Sequence, residues 1–301
     1  MKNKKIALVL SSGGARGMAH IGVIEELLER GYEITSVAGS SIGSVVGGAY
    51  ASGGLEKYKE WICSFEKIDI LRLMDFTVSK RGFIRGEKVL NAMKDIFPDR
   101  NIQDLDIPLT ILATDITNHR EVVYESGSLY EAIRASIAIP SVMAPYQQKD
   151  IEIVDGGIIN PFPLDRVKRQ ENDIIVGVNL NYPGPYESPE KSLRLKENEE
   201  SKYRRIREFI NGHWPGFFNH KEEKKHRQMG FFDLITSSMW VLQEKVTDLY
   251  IKQYHPEVVV NISRYSSDTF GFYRAKELIN YGRKQAIRVM DEYEATQLTE
   301  K

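Results

Sequence analysis

The chain has 301 residues, 42% of them hydrophobic and 28% charged, with a formal net charge of −1. That length holds one large α/β domain or two small ones, either with a sizeable core. The charge balance leaves no basic excess to neutralise nucleic-acid phosphates. The single cysteine, Cys63, excludes an intramolecular disulfide framework and a cysteine-rich zinc site, and among Trp61, Ile62 and Phe65 it reads as buried packing.

Residues Met1 to Lys5 are basic, but the apolar run behind them ends at Leu10, too short for a secretory signal core or a membrane span. No later stretch reaches about 18 apolar residues. A cytoplasmic protein is expected, with any membrane contact made at its surface.

Ile6 to Leu10 predicts a buried strand that runs into Ser11-Ser12-Gly13-Gly14-Ala15-Arg16-Gly17. A helix follows over about 18–30, with Ile21, Ile24, Leu27 and Leu28 on one face and Gly31 at its end. A second apolar run, Ile34 to Ala38, leads into Gly39-Ser40-Ser41-Ile42-Gly43 and a helix-compatible stretch. These first fifty residues form a βαβα unit. A right-handed crossover makes the two strands parallel and brings the glycine loop beside Ser41 at one edge of the sheet.

Residues 55–98 read as helical and irregular, with helices over 55–65 and 86–96. Strands are expected at Leu109–Asp115 and Glu121–Tyr124, then a helix over 129–136 capped by Ser128. Gln148–Val154 reads as a strand that ends at Asp155-Gly156-Gly157, and Asp173–Asn179 as a further buried strand. From 182 to about 230 the chain is rich in Lys, Arg, Glu, Pro and Asn, and reads as a polar helical insertion or cap. Helix resumes over about 231–254. A strand at 257–262 and a closing helix over about 271–294 complete a single domain spanning 1–301.

A serine between glycines on a tight strand-to-helix turn suits a nucleophile, because the helix N-terminus offers free N–H groups and partial positive charge to a developing anion. The same small-residue run also makes ordinary turns. A hydroxyl needs a base. His20 on the first helix, His119 in a turn, His213, His220 and His226 in the insertion, and His255 before Pro256 do not stand where a triad histidine follows a strand. Asp155, at a strand end and followed by two glycines, is the alternative base; a plain Asp-Gly turn is the other reading of the same residues. The loop at 12–17 has neither G-x-G-x-x-G spacing nor a P-loop ending, so it is not a nucleotide site. Its consecutive glycines instead let backbone N–H groups converge on an oxyanion.

Taken together and in order, Leu10 to Val23, Gly39-Ser40-Ser41-Ile42-Gly43, Ala135-Ser136 through Pro140, and Asp155-Gly156-Gly157 closely resemble the patatin-like phospholipase family over roughly residues 5–180. The resemblance implies a three-layer α/β/α sandwich with a mainly parallel sheet. It implies a Ser-Asp dyad that hydrolyses lipid acyl esters, such as those of phospholipids, without metal or cofactor. Carried over, Ser41 is the nucleophile and Asp155 the general base. The N–H groups of Gly13, Gly14 and Ala15 form the oxyanion hole, and Arg16 fills the family's basic position as a substrate-binding residue. Ser12 departs from the family's loop, which begins with three glycines; a positive φ at that position costs a serine something. Two other readings stay open: an acyltransferase or thioesterase acting on acyl carriers, and a non-catalytic lipid-binding module. The mixed basic and apolar run from Arg204 to Phe218, with Trp214, Phe217 and Phe218, is expected to contact anionic membrane or else to pack on the body.

Overall fold

Alternation along the first strand sets out the layers. In β1 (Lys5–Leu10), Ile6, Leu8 and Leu10 face one side of the sheet, Ala7 and Val9 face the other, and all five are fully buried. A strand buried on both faces belongs in the middle of a helix-covered sheet. The computed structural model describes residues 4–75, 84–186 and 231–299, and within them β1 lies between β2 (Glu33–Ser40) and β7 (Ile174–Tyr182), parallel to both. Beyond β7 lies β8 (Val258–Ser263), also parallel, and beyond β2 lies β3 (Leu109–Asp115).

Helices α1 (Met18–Glu29), α2 (Ile42–Ala51) and α8 (Ala275–Thr299) share a core with Ile6, Leu8 and Leu10. On the opposite face, Phe162 and Leu164 pack on Ala7 and Val9, joined by Tyr250, Ile251 and Tyr254 of α7 (Phe231–Tyr254). The result is a central sheet with helices on both sides, thicker on the α1 side. Each fully buried Leu or Ile stabilises the fold by about 1.5–3 kcal/mol, so the β1 face alone is a large contribution.

The irregular stretch after α2 becomes three short helices, α3 (Leu55–Cys63), α4 (Lys67–Leu73) and α5 (Glu87–Lys94). A reciprocal capping box of Glu66 and Asp69 starts α4. Near them Ile70, Met74, Ile84 and Met143 form a second, smaller core. α6 (Leu129–Ser136) starts at Ser128, whose hydroxyl accepts from the N–H of Glu131 at 3.1 Å.

The expected strand at 148–154 is a hairpin, β5 (Tyr146–Gln148) and β6 (Ile151–Asp155), turning through Lys149 at φ 54°. One edge of β3 pairs with antiparallel β4 (Arg120–Tyr124). Its other edge is shared. β2 occupies it as far as Leu112, opposite Ser40, and antiparallel β6 takes over at Ala113, opposite Asp155. The expected contact segment 204–218 lies outside the described residues. Among those residues no helix is long and apolar enough to cross a membrane.

Candidate active site

The shared edge of β3 places two side chains end to end. β2 stops at Ser40 and the chain turns abruptly into α2 through Ser41, which holds φ 54° and ψ −122°. This is a strained conformation for a residue with a Cβ, and such strain persists only when the surroundings fix it. The turn is tight because Gly39 and Gly43 have no side chains: a Cβ on Gly43 would lie 2.2 Å from the Leu10 carbonyl, and one on Gly39 would lie 2.5 Å from that of Gly43. Ser136, at the end of α6, holds the turn from outside. Its hydroxyl accepts from the Ser41 N–H at 2.9 Å and donates to the Leu112 carbonyl at 2.6 Å.

With the backbone so fixed, Ser41 Oγ donates to Asp155 Oδ2 at 2.5 Å, and both residues are buried. The other carboxylate oxygen, Oδ1, accepts from the Gly157 N–H at 2.7 Å. Thr114 Oγ1 donates to the Asp155 carbonyl at 2.9 Å. Burial pushes the Asp155 carboxyl up from 3.8 to about 7, against the opposing pull of the hydrogen bonds from Ser41 and Gly157. A carboxylate that titrates near neutrality and touches a hydroxyl suits proton transfer in both directions. Of the histidines, His20 is fully buried and desolvation lowers its pKa to about 4, so the ring is neutral; Nε2 contacts the Ser11 carbonyl at 3.0 Å. It braces the strand end that carries the glycine loop.

The loop residues do not all have the roles expected of them. Among the described residues the N–H groups of Gly13 and Gly14 have no acceptor, and Gly14 sits at φ +58°. The N–H of Ala15, however, is taken up by the Thr269 carbonyl at 3.0 Å, which removes it from the expected oxyanion hole. Ile42, the first residue of α2, has no intrahelical acceptor for its N–H. Ser12 is not at positive φ, so the departure from three glycines carries no backbone cost.

Arg16 also differs from expectation. It is 5% exposed, and its guanidinium lies 3.4 Å from the carbonyls of Arg264 and Ser267 and 3.5 Å from Asn181 Oδ1. Burial, together with the nearby Arg264 charge, lowers its pKa to about 10. A buried cation directed at backbone carbonyls fastens the glycine loop to the loop after β8; Arg16 is not among the residues that line the pocket beside Ser41.

That pocket lay beyond the sequence reading. It opens at Gly14 and Ser41 and runs between the main core and the smaller one. Tyr58, Trp61 and Ile62 of α3, Ile70 of α4, Val89 of α5 and Met143 are among its walls, which are apolar almost throughout. The signal was present only as an apolar face on α3, which is indistinguishable in sequence from a face that packs against the sheet. Among the described residues no cluster of three or more His, Cys, Asp or Glu side chains could hold a metal ion.

Comparison with known proteins bears on this geometry. A family model described as patatin-like phospholipase matches residues 8–168. An uncharacterized NTE family protein of Mycobacterium tuberculosis is 46% identical over 177 residues, which is 59% of this chain and 49% of that protein. Human patatin-like phospholipase domain-containing protein 6 is 33% identical over 182 residues, covering 58% of this chain and 13% of its own length. The lysophospholipase NTE1 of Meyerozyma guilliermondii is 30% identical over 188 residues, with 60% and 13% covered. The matched region thus spans about half of the mycobacterial relative and a small part of the other two.

Proposed function

The chain belongs to the patatin-like phospholipase family, and from that premise we propose that it is a serine lipid acyl hydrolase that cleaves fatty-acyl esters of the phospholipid or lysophospholipid type. The observation that carries the reading is the 2.5 Å contact between Ser41 Oγ and Asp155 Oδ2 at the mouth of an apolar pocket. The acyl chain lies in the pocket and its ester carbonyl stands over Ser41. Asp155 takes the Ser41 proton as the hydroxyl attacks. The N–H groups of Gly13 and Gly14 and the start of α2 stabilise the tetrahedral oxyanion. Asp155 then returns the proton to the departing alcohol or lysolipid, and in a second round activates the water that frees the fatty acid.

The apolar lining favours a long acyl chain over a polar acyl group. An acyltransferase that relies on histidine is less well supported, because among the described residues Ser41 Oγ is hydrogen-bonded to Asp155 and not to a histidine. The test is release of fatty acid from phospholipid vesicles and lysophospholipid, with fluorophosphonate labelling of the same samples. Wild type should release acid and label; Ser41→Ala should do neither. Equal turnover by wild type and Ser41→Ala would overturn the reading, and transfer to an acceptor without net acid release would favour the transferase.

A further inference from the structure

Helix α7 exposes large apolar side chains beside the catalytic turn. Leu234, Val241 and Leu242 are 55%, 53% and 64% exposed, and Ser238 is exposed between them. At helical spacing these four positions share one outward face. From 231 to 243 the helix carries one charged residue, Asp233; from Glu244 onward it carries Glu244, Lys245, Asp248 and Lys252. The outward face therefore changes at mid-helix from uncharged to charged, since Lys245, Asp248 and Lys252 are all exposed.

The change falls where the helix is fastened to the body. Gln243 Nε2 donates to the Gly157 carbonyl at 2.9 Å, and Glu244 pairs with Arg264 at 2.6 Å. Gly157 is the residue whose N–H holds Asp155. The exposed Val241 and Leu242 thus immediately precede the side chain that touches the catalytic turn.

We propose that the outward face of the first half of α7, formed by Leu234, Ser238, Val241 and Leu242, docks on an anionic lipid surface and holds the Ser41–Asp155 site against it. The proposal rests on the reading of the chain as a lipid acyl hydrolase, whose substrate must leave a bilayer or micelle for an apolar pocket. A docked helix shortens the path through water. Charge supports the choice of surface: residues 201–230, which lead directly into α7, contain eight Lys or Arg against three Glu. An apolar helix face preceded in sequence by a basic stretch is the pattern of interfacial segments that bind anionic lipid. A stable dimer, by contrast, needs about 800 Å2 from each partner, more than three side chains on one helix provide.

The experiment is flotation with vesicles of equal parts phosphatidylcholine and phosphatidylglycerol. It compares wild type, the Leu234→Ser/Val241→Ser/Leu242→Ser triple variant, and Leu249→Ser as a control in the charged half. The triple variant should bind about tenfold more weakly or worse, with Leu249→Ser unaffected and turnover of a soluble short-chain ester unchanged in both. That preserved turnover also shows that the triple variant folds. Undiminished vesicle binding by the triple variant refutes the docking. So does binding abolished by high salt in every variant alike, which marks a purely electrostatic contact. A wild-type dimer that becomes a monomer in the triple variant, read by light scattering, assigns the face to a second copy instead. Soluble-ester turnover that survives Ser41→Ala refutes the hydrolase reading and leaves the flotation result to be judged separately.

Discussion

With Asp155 as the proposed base, activity and stability depend on one proton. Burial raises its pKa from 3.8 to about 7 in the folded protein, whereas the unfolded chain leaves it near the ordinary value. A carboxyl whose folded pKa is raised stabilises the fold fully below its unfolded pKa, and that contribution is lost as pH rises through the folded value. Three pKa units at 1.36 kcal/mol each amount to about 4 kcal/mol, lost between about pH 4 and about pH 7. Asp155→Asn keeps the shape without the titration. Urea unfolding of both proteins at several pH values should show the wild type losing about 4 kcal/mol relative to the variant across that window. Over its upper part, turnover of a soluble ester by the wild type should rise as the base ionises, with an apparent pKa near 7. Parallel stability curves for the two proteins would refute the burial argument. An activity midpoint near 4 would mean that the catalytic base is more solvated than the structure implies.

Ser41→Gly and Ser41→Ala should both be inactive, but relief at φ 54° should make the glycine variant the more stable of the two by about 1 kcal/mol, read by chemical denaturation. Ser136→Ala leaves the Ser41 N–H and the Leu112 carbonyl without their partner; a loss of about 2 kcal/mol in stability and at least tenfold in kcat is expected, with KM little changed. Arg16→Met should cost about 2 kcal/mol or more and leave the ratio of turnover on anionic and zwitterionic lipids unaltered, whereas an altered ratio would return Arg16 to a substrate-binding role. Val89→Phe, in the pocket wall, should raise KM for long-chain esters and spare short ones, as measured across a series of acyl lengths.

How much of this was legible depended on how local each feature is. The turn around Ser41 is encoded within five residues, because a strand, two glycines and a helix leave the chain few alternatives. Asp155 was recognisable as a strand-end carboxylate, but its distance to Ser41 depends on pairing across 114 residues. Ala15 and Arg16 show the opposite case. Their residue types fit an oxyanion loop, yet the Ala15 N–H and the Arg16 guanidinium are engaged by Thr269, Arg264 and Ser267 at the far end of the chain. No local pattern records that competition. The pocket is less legible still, since its walls come from stretches around 41–93, 137–143 and 269–272, each of which reads as ordinary core when taken alone.

The element that joins these pieces is β3, which contributes none of the reacting atoms. Its edge measures one strand ending at Ser40 against another ending at Asp155, one rung apart, so a parallel pair gives way to an antiparallel one at the point where Ser41, the proposed nucleophile, leaves the sheet. β3 also supplies the Leu112 carbonyl that anchors Ser136 and the Thr114 hydroxyl that holds the Asp155 backbone. A shift of one residue in either pairing would turn alternate side chains to the opposite face and separate the hydroxyl from the carboxylate. The buried residues of β3, all seven of them within the sheet, therefore constrain the chemistry as firmly as Ser41 and Asp155 do. Disruptive substitutions there should lower activity before they unfold the protein.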